Sequence, residues 1–386
     1  MAERSNSEIT ELIRTQASEF DARSDLTPAV ADAIVESDLM RILVPAEYGG
    51  LDGTLNDWFA ACLPIAIADG SAGWVAAQGS VQNLLVASQS DPEFARAFCQ
   101  APRLNTALSF TGDVTLRPND TGGWVVTGDW EYQSGCKSAT CIGGLVSFVD
   151  TDFEPKPGLP YVLLWADEVR INETWDRVGM RGTGSHHVAV NDRTVPANRL
   201  VYFMNPAESR FRDHPLGRLG GGLVVIGLAA TATLIGVARR ALDEATALLR
   251  TKPQGPFAGE GVMIENHRVL SEVTRAEGLW DLTRLGFEGT LARLWEAASG
   301  PDPLSPEDEA QARLGAITAA HAAAQIVRDV YALCGTTPTA SGTVLERCFR
   351  DATTMATHAS IRTAEFERTG RMLGLVPAPD KTGSDQ

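Results

Sequence analysis

A histidine near the end of the chain stands where a proton-exchanging group could act. His358 closes the stretch 345–358, in which apolar residues recur at helical spacing, namely Phe349, Ala352, Met355 and Ala356. An imidazole titrates near neutral pH and can therefore exchange a proton during catalysis. A core or interface histidine with satisfied hydrogen bonds is the competing interpretation, and this stretch taken alone favours it.

Two further stretches carry groups that could face a ligand. Ser134 ends the run 128–134, and its hydroxyl can either contact a ligand or cap the turn before Gly135; the sequence alone favours the cap. Trp74 stands among small residues between Asp69 and Asn83. Such a segment suits close packing against a flat group, although ordinary helix–helix packing is the simpler explanation.

The other histidines considered predict no metal site. Neighbouring residues on a strand point to opposite faces, so His186 and His187 do not form a metal-binding pair. His214 and His267 stand among charged residues and are predicted at the surface. The glycine run 220–222 is predicted to allow close packing at a helix start rather than to bind phosphate.

The composition narrows the class of protein. The chain has 386 residues, 44% of them hydrophobic, which suffices for two or three domains with large cores. A net charge of −16 argues against binding to nucleic acid or to an anionic membrane surface. Six cysteines without CxxC spacing and a polar first twenty residues predict a reduced, cytoplasmic protein without an export signal.

The elements that must position these groups fall into three blocks. Residues 1–103 are predicted to form a helical domain, residues 104–211 a β domain and residues 212–376 a bundle of four long helices, with a disordered tail at 377–386. The predicted strands are 105–110, 123–128, 129–134, 143–149, 161–165, 187–191 and a run ending at Val195, with 119–123 as a hairpin turn. The predicted bundle helices are 219–250, 261–298, 306–334 and 344–372.

One predicted bundle helix is also long enough to cross a membrane. The apolar run 219–238 has roughly the twenty residues that a bilayer requires. It contains glycines and threonines, and it continues as an amphipathic segment to Arg250. These features favour a buried bundle helix, so no membrane association is predicted.

The order of helices, β domain and helical bundle resembles the acyl-CoA dehydrogenase fold over nearly the whole chain. The segment 175–185, Trp-Asp-Arg-Val-Gly-Met-Arg-Gly-Thr-Gly-Ser, is similar to the middle-domain signature of that fold. The resemblance implies a mainly α protein with an N-terminal helical domain, a middle β-barrel domain and a C-terminal four-helix bundle.

Within that fold, the site region resembles one branch more than another. Acyl-CoA dehydrogenases commonly carry a glutamate base shortly after an Arg-Asp pair, whereas this chain has no acid between Asp351 and Glu365. The segment instead resembles the two-component flavin monooxygenases of the hydroxyphenylacetate and steroid-phenol hydroxylase type, in which a histidine follows the Arg-Asp pair. His358 matches that position.

The same resemblance implies roles for further residues. The run from Gly128 to Cys136 is similar to a Gly-x-Trp-x-Phe-x-Ser-Gly-Cys pattern, whose serine bonds to the reactive edge of the flavin, so Ser134 is the expected counterpart. Ser109 and Trp74 match positions near flavin and substrate. Gln82 stands where phenol hydroxylases commonly have a histidine, and a glutamine cannot take a proton at neutral pH. A ring that is nucleophilic without deprotonation, such as an indole, is therefore expected as an alternative to a phenol.

The implied function is the oxygenase component of a two-component flavin monooxygenase. Reduced flavin, FAD favoured over FMN, would come from a separate NAD(P)H:flavin reductase, because no Rossmann Gly-x-Gly-x-x-Gly unit is present. O2 would then form a flavin hydroperoxide that hydroxylates a small phenol, indole or polycyclic ring. Arg250 matches a bundle arginine that reaches the phosphate end of a neighbouring subunit's cofactor, with an arginine on a solvated face as the competing interpretation. Gly335 and Thr336 match a loop beside that cofactor. The bundle face of the fold commonly forms tetramers, so the resemblance implies a homo-oligomer, dimer or tetramer.

Three alternatives remain open from the sequence. A flavin-dependent N-oxygenase or oxidase would share Ser134 and the fold but act on an amine or a nitro compound. An acyl-CoA dehydrogenase-type enzyme would need a carboxylate base. An interaction scaffold would keep the bundle and lose affinity for flavin.

Overall fold

The computed structural model describes residues 5–205, 209–220, 222, 224–255 and 260–376. The tail predicted at 377–386, residues 1–4 of the polar N-terminal segment and Gly221 of the glycine run lie outside the described residues. The fold is the predicted one, with helices, then strands, then helices.

The N-terminal helices are set by capping residues. Ser5, Thr27, Thr54, Asp69 and Asp91 each accept a hydrogen bond from a backbone N–H in the first turn of the helix that follows. The helices are α1 (Asn6–Arg23), α2 (Pro28–Val35), α3 (Leu55–Ala68), α4 (Gly70–Gln89) and α5 (Pro92–Cys99). Every residue of α4 is buried, so this helix forms the centre of the N-terminal block.

The middle of the chain forms two sheets that share an apolar core. The strands are β1 (Thr106–Ser109), β2 (Thr115–Pro118), β3 (Trp124–Gln133), β4 (Cys141–Leu145), β5 (Ser147–Phe148), β6 (Leu159–Trp165), β7 (Arg170–Asn172), β8 (His186–Val195) and β9 (Leu200–Phe203). One sheet has the order β1-β4-β6-β9 and the other the order β5-β2-β3-β8-β7. Trp130, Val162 and Val188 lie in the core cluster that both sheets contribute to.

The strand prediction is confirmed in part. The turn 119–123 joins the antiparallel strands β2 and β3, and Asn119 Oδ1 accepts from the backbone N–H groups of Thr121 at 2.9 Å and Gly123 at 2.8 Å. The runs 123–128 and 129–134 are one strand, because Gly128 forms a bulge instead of a turn. Gly128 has φ +134°, and a Cβ there would lie 2.1 Å from the carbonyl oxygen of Asp113. Strands β2, β7 and β9 were not predicted.

The C-terminal block is helical, with one predicted helix interrupted. Its helices are α6 (Pro215–Gly220), α7 (Val224–Thr251), α8 (His267–Ser299), α9 (Pro306–Leu333), α10 (Val344–Met355) and α11 (Ala364–Met372). The prediction of a continuous helix over 344–372 is wrong, because α10 ends at Met355 and a turn precedes α11. Thr353 and Thr357 direct their hydroxyls to the carbonyls of Phe349 and Thr354, both at 2.7 Å, and such side-chain bonds compete with the helix.

Helix α7 is the apolar run that could be taken for a membrane span. It is the helix among the described residues that is long and apolar enough for one, and 89% of its most apolar window is buried inside the protein. It packs against α3, α4, α9 and α10. We therefore interpret α7 as the core helix of the bundle, as predicted from its composition.

Candidate active site

One cavity of about 350 Å³ collects five of the residues singled out from the sequence. It lies where α4, the ends of β1 and β3, the segment 175–185 and the turn after α10 meet. The predicted residues that line it are Trp74, Gln82, Ser109, Ser134 and His358. Residues that are between 8 and 284 positions apart in the chain thus share one site.

Helix α4 presents three side chains to this cavity as one stripe. Trp74, Gln78 and Gln82 are spaced four residues apart and therefore lie on the same helix face. Asp69 begins the helix by accepting from the N–H groups of Ser71 at 2.9 Å and Ala72 at 3.1 Å. Gln78 was not among the predicted residues, although its place on the Trp74 stripe was a signal that could have identified it.

A chain of hydrogen bonds runs from Trp74 through three hydroxyls. Trp74 Nε1 donates to Ser134 Oγ at 3.1 Å, Ser134 Oγ lies 2.7 Å from Ser185 Oγ, and Ser185 Oγ lies 2.6 Å from Thr183 Oγ1. Thr183 Oγ1 in turn donates to the carbonyl oxygen of Met180 at 2.8 Å. Thr183 and Ser185 belong to the segment 175–185, but the sequence did not indicate that their hydroxyls form a chain with that of Ser134.

The last bond of this chain sets a direction for the others. A hydroxyl has one proton, and when Thr183 directs its proton to the carbonyl of Met180, which can only accept, none remains for Ser185. Ser185 must then donate to Thr183, and Ser134 must donate to Ser185. Ser134 therefore offers the cavity a lone pair and no proton, so it acts there as a hydrogen-bond acceptor.

Arg350 and Asp351, the pair that precedes the histidine, hold the segment 175–185, in which the chain of hydrogen bonds ends. Arg350 Nη1 donates to the carbonyl of Val178 at 2.7 Å, and Asp351 Oδ1 accepts from the backbone N–H of Met180 at 2.5 Å. Met180 is buried in a left-handed conformation with φ +56°, which is unfavourable for a residue with a Cβ. The pair therefore acts on the backbone of the segment and does not line the cavity itself.

Burial changes the protonation of the carboxylate in this pair. Desolvation is the largest effect on Asp351, and the nearby Asp69 adds to it; together they raise the pKa of Asp351 to about 7. Desolvation also raises the pKa of Asp69, which pairs with Arg347 at 3.2 Å. Two acids and one arginine thus share a buried cluster next to the start of α4.

His358 lies in the turn after α10, not on a helix as the prediction had it. Its backbone N–H donates to the carbonyl of Met355 at 2.9 Å, and its ring meets Trp74 edge to face with centroids 5.0 Å apart. Nδ1 accepts from the backbone N–H of Ser360 at 3.3 Å, so the proton of the neutral ring is carried by Nε2. Burial lowers the pKa of His358 to about 4, and the ring is therefore neutral at pH 7.

Ser109 uses its hydroxyl locally. Its Oγ donates to the carbonyl of Thr111 and accepts from the N–H of Thr111, both at 3.0 Å. The bonds shape the loop that follows β1, where Phe110 and Thr111 also line the cavity. Ser109 thus lines the cavity, as predicted, but its hydroxyl is already hydrogen-bonded to the backbone of Thr111.

The cavity wall carries no full charge in the described part of the chain. Its residues include no Lys, Arg, Asp or Glu. Glu365, the first acid after Asp351, lies on α11 near Arg362 and Arg368 and is not part of the wall. The wall therefore contains no carboxylate that could serve as the base of an acyl-CoA dehydrogenase.

The three residues predicted at the cofactor of a neighbouring subunit lie outside this cavity. Arg250 is exposed at the end of α7, 24 residues after Ile226 of the cavity wall, which corresponds to about 36 Å along a helix. Gly335 and Thr336 follow α9 close to Lys252, whose Nζ donates to the carbonyl of Cys334 at 2.7 Å. Arg250 and the loop 335–336 are thus near each other in the chain's fold and remote from this subunit's cavity.

The histidines to which no role was assigned remain outside the cavity wall. His186 is buried, and its Nδ1 accepts from the backbone N–H groups of Thr174 at 3.2 Å and Trp175 at 3.1 Å. His187 and His267 do not line the cavity either. His186 therefore supports the segment 174–185 structurally.

Comparisons with known proteins point to one family. Residues 227–363 match the family described as acyl-CoA dehydrogenase, C-terminal domain. The chain is 30% identical over 375 residues to an indole-3-acetate monooxygenase of Pseudomonas putida, covering 95% of this chain and 92% of that one. It is 26% identical over 358 residues to the flavin-dependent monooxygenase oxygenase subunit HsaA of Rhodococcus jostii, covering 90% and 91%.

Two solved structures have the same fold. XiaF from Streptomyces, in complex with FADH2 and glycerol, superposes with a TM-score of 0.86 at 22% identity over 96% of both chains. TdsC from Paenibacillus, in complex with FMN and indole, superposes with a TM-score of 0.81 at 22% identity over 95% of both chains.

Proposed function

This chain belongs to the flavin-dependent monooxygenases built on the acyl-CoA dehydrogenase fold, and from that membership we propose that it hydroxylates a small aromatic ring. In the overall reaction, one atom of O2 enters a ring C–H bond to give a hydroxyl and the other leaves as water. Reduced flavin supplies the two electrons that balance this reaction. A separate NAD(P)H:flavin reductase provides the reduced flavin.

The observation that carries the proposal is the junction of the hydroxyl chain and His358 in one uncharged cavity. Trp74 contacts both, through its Nε1 to Ser134 at 3.1 Å and through its ring to His358 at 5.0 Å between centroids. A reactive oxygen species must be kept from water until the substrate is in place, and a cavity lined by uncharged side chains, about half of them apolar or aromatic, can provide this shelter.

The residues present fit a flat flavin ring. Trp74, Tyr132 and Trp175 provide aromatic walls around the cavity, and Ser134 presents its free lone pair there. Bound reduced flavin would supply the activation of O2, and its ring N–H is a donor that suits an accepting hydroxyl. Trp74, Ser109 and Ser134 are therefore the residues that we propose to hold the ring in this subunit.

We assign the substrate side to the other end of the cavity. Neutral His358 can donate from Nε2 to an acceptor on the substrate, or to the oxygen that is transferred. Its low pKa makes it a weak base, so it is poorly suited to removing a proton from a phenol. Gln82 adds an amide that orients the substrate without taking a proton.

A second subunit would complete the site. We propose a homo-oligomer, dimer or tetramer, in which Arg250, Gly335 and Thr336 reach the cofactor of a neighbour. Leucines exposed along α8, namely Leu270, Leu279, Leu282 and Leu285, support burial of this helix against another copy. Sedimentation of the purified protein will give the number of subunits.

The chain's chemistry also fits a reducing compartment. All six cysteines are free and buried, and burial raises the pKa of Cys99 and Cys136 to about 12. Inert thiols of this kind support a cytoplasmic location.

The experiment that tests the function is anaerobic mixing with reduced flavin followed by a pulse of O2 in a stopped-flow spectrometer. A long-lived near-ultraviolet absorbance, followed by hydroxylated product when an aromatic ring is added, is expected. Parallel runs with FAD and FMN decide between the two, and we propose FAD. Oxidation of the flavin at the rate seen without protein would overturn the proposal.

A further inference from the structure

Gln78 holds a buried acceptor that points to no donor in the described part of the protein. Its Nε2 donates to the carbonyl of Ile226 at 3.2 Å, and because a carbonyl only accepts, the orientation of the amide is fixed. Its Oε1 is buried without a hydrogen-bond partner. The side chain is 4% exposed and lines the cavity. Buried polar atoms are nearly always paired, so a donor from a ligand is the natural partner for this oxygen.

Gln82, one turn further along α4, has the opposite polarity. Its Oε1 accepts from the backbone N–H of Leu108 at 3.0 Å, and because that group only donates, this amide is fixed as well. Among the hydrogen bonds of the described residues, its Nε2 has no acceptor. The α4 stripe therefore presents one acceptor, Gln78 Oε1, and one donor, Gln82 Nε2, at neighbouring positions of the cavity.

The same cavity has no cation to pair with an anionic ligand. The wall contains no Lys or Arg in the part of the chain described, and Arg177 stacks on the rings of Tyr132 and Trp175, with its guanidinium carbon 5.9 and 5.2 Å from their centroids. Tyr132 is 46% exposed and lies at the mouth. A carboxylate bound beside Gln78 would be desolvated without a partner, which is strongly unfavourable.

Neither glutamine can activate a ring by deprotonation. An amide does not accept a proton at neutral pH, and no carboxylate lines the wall. A ring bound here must therefore react as a neutral molecule. A heteroaromatic ring with an N–H meets this condition, since it is electron-rich and carries the donor that Gln78 Oε1 lacks.

We propose that Gln78 is a specificity-determining residue that binds the ring N–H of a neutral indole-type heterocycle and that the cavity rejects the corresponding carboxylates. This inference rests on the proposed function and defines its substrate class. The proposed substrate therefore differs from that of the relative from Pseudomonas putida, which is named for the carboxylate indole-3-acetate.

Three ring compounds test the proposal with the unmodified protein. Indole carries the N–H, 1-methylindole lacks it, and indole-3-acetate adds a carboxylate. Calorimetric binding and kcat/KM for each should favour indole over 1-methylindole by about 10- to 100-fold, because the methylated ring leaves the buried oxygen unpaired. Indole-3-acetate should be weaker than indole by about 100-fold or more.

A variant pair assigns the effect to Gln78. Gln78→Met keeps the length of the side chain and removes the acceptor, so the preference for indole over 1-methylindole should disappear while 1-methylindole is bound as before. Gln89→Met is the matched control, because Gln89 is a buried glutamine of the same helix that does not line the cavity. Its preference should equal that of the unmodified protein.

The results that would overturn the proposal differ from those that would overturn the function. Equal binding of indole and 1-methylindole, or binding of indole-3-acetate as tight as that of indole, contradicts the role of Gln78 even if rings are hydroxylated. If no ring is hydroxylated but indole still binds with the stated preference, the oxygenase function fails and the Gln78 assignment stands.

Discussion

Asp351 on α10 and Met180 in the segment 175–185 are joined by a hydrogen bond of 2.5 Å between a carboxylate oxygen and a backbone N–H. The carbonyl of the same Met180 is the end point of the hydroxyl chain that includes Ser134. The orientation of the Ser134 hydroxyl therefore depends on a carboxylate that does not touch the cavity.

Asp351→Ala should destabilise the protein by about 1–3 kcal/mol, because it leaves the buried backbone N–H of Met180 without its acceptor. Asp351→Asn retains an oxygen for Met180 and should cost less. The measurement is thermal unfolding of both variants. An alanine variant as stable as the asparagine variant would show that the bond to Met180 contributes little.

The same residue predicts a pH dependence of stability. Burial raises the pKa of Asp351 from 3.8 to about 7, so the folded state binds the proton more tightly than the unfolded state. Its contribution is fully present below pH 3.8 and is lost as the pH rises through about 7. Between pH 5 and pH 8, the free energy of unfolding should fall more steeply with pH for the unmodified protein than for Asp351→Asn. The slope that remains in the variant is assigned to Asp69. Parallel curves would contradict this.

Ser134→Ala removes the acceptor that we place at the flavin ring. The fraction of consumed O2 released as hydrogen peroxide should rise, and hydroxylation should slow by about 10- to 100-fold. The matched control is Ser80→Ala, because Ser80 also accepts from a buried tryptophan, Trp58 Nε1 at 2.8 Å, but does not line the cavity. Peroxide release that rises equally in both variants would indicate a general loss of packing.

Ser185→Ala tests the direction of the hydroxyl chain. Without Ser185 Oγ as acceptor at 2.7 Å, the proton of Ser134 is free to turn towards the cavity. There it would point at the flavin N–H, and two donors repel each other. Peroxide release should therefore rise, by less than in Ser134→Ala, although residue 185 is a step further from the ring. Normal coupling in Ser185→Ala would show that Ser134 does not depend on this bond.

His358→Ala should slow hydroxylation more than it slows oxidation of the flavin, because the ring is placed on the substrate side of the cavity. His358→Asn keeps an acceptor for the N–H of Ser360 and serves to separate the loss of Nε2 from collapse of the turn. Rapid-mixing kinetics distinguish the two steps. Equal slowing of both steps in both variants would place His358 outside the chemistry.

The low pKa of His358 also fixes the pH response of that residue. Since burial lowers the pKa from 6.5 to about 4, the folded state disfavours the charged ring. The resulting stability is present above pH 6.5 and is lost as the pH falls towards 4. The rate of hydroxylation should therefore have the same pH profile near pH 6.5 in the unmodified protein and in His358→Asn.

The sequence identified the fold and most of one wall of the cavity because those features are local or carried by motifs. Asn119 and Gly123 define a hairpin by their types alone, and Trp74 and Ser134 stand in recognisable segments. The break at Met355 was missed because the apolar spacing continues past it, while the hydroxyls that compete with the helix are not visible in that pattern.

Contacts between distant residues account for what was missed at the site. The free oxygen of Gln78 exists only because its nitrogen meets the carbonyl of Ile226, 148 residues later in the chain. The polarity of Ser134 likewise follows from Met180, through bonds that no spacing encodes. A pattern can indicate that a polar residue faces a cavity, but it cannot tell which of its atoms remains free.

The complete burial of α4 limits the ways in which this site can diverge. Each residue turns a helix by about 100°, so the removal of one residue between Trp74 and Gln82 would swing Gln82 away from the cavity. A surface helix could absorb such a slip on its solvent side, whereas α4 is enclosed on all sides. New ring preferences can therefore arise by exchange of side chains along the stripe, while insertions and deletions in this helix should be eliminated by selection.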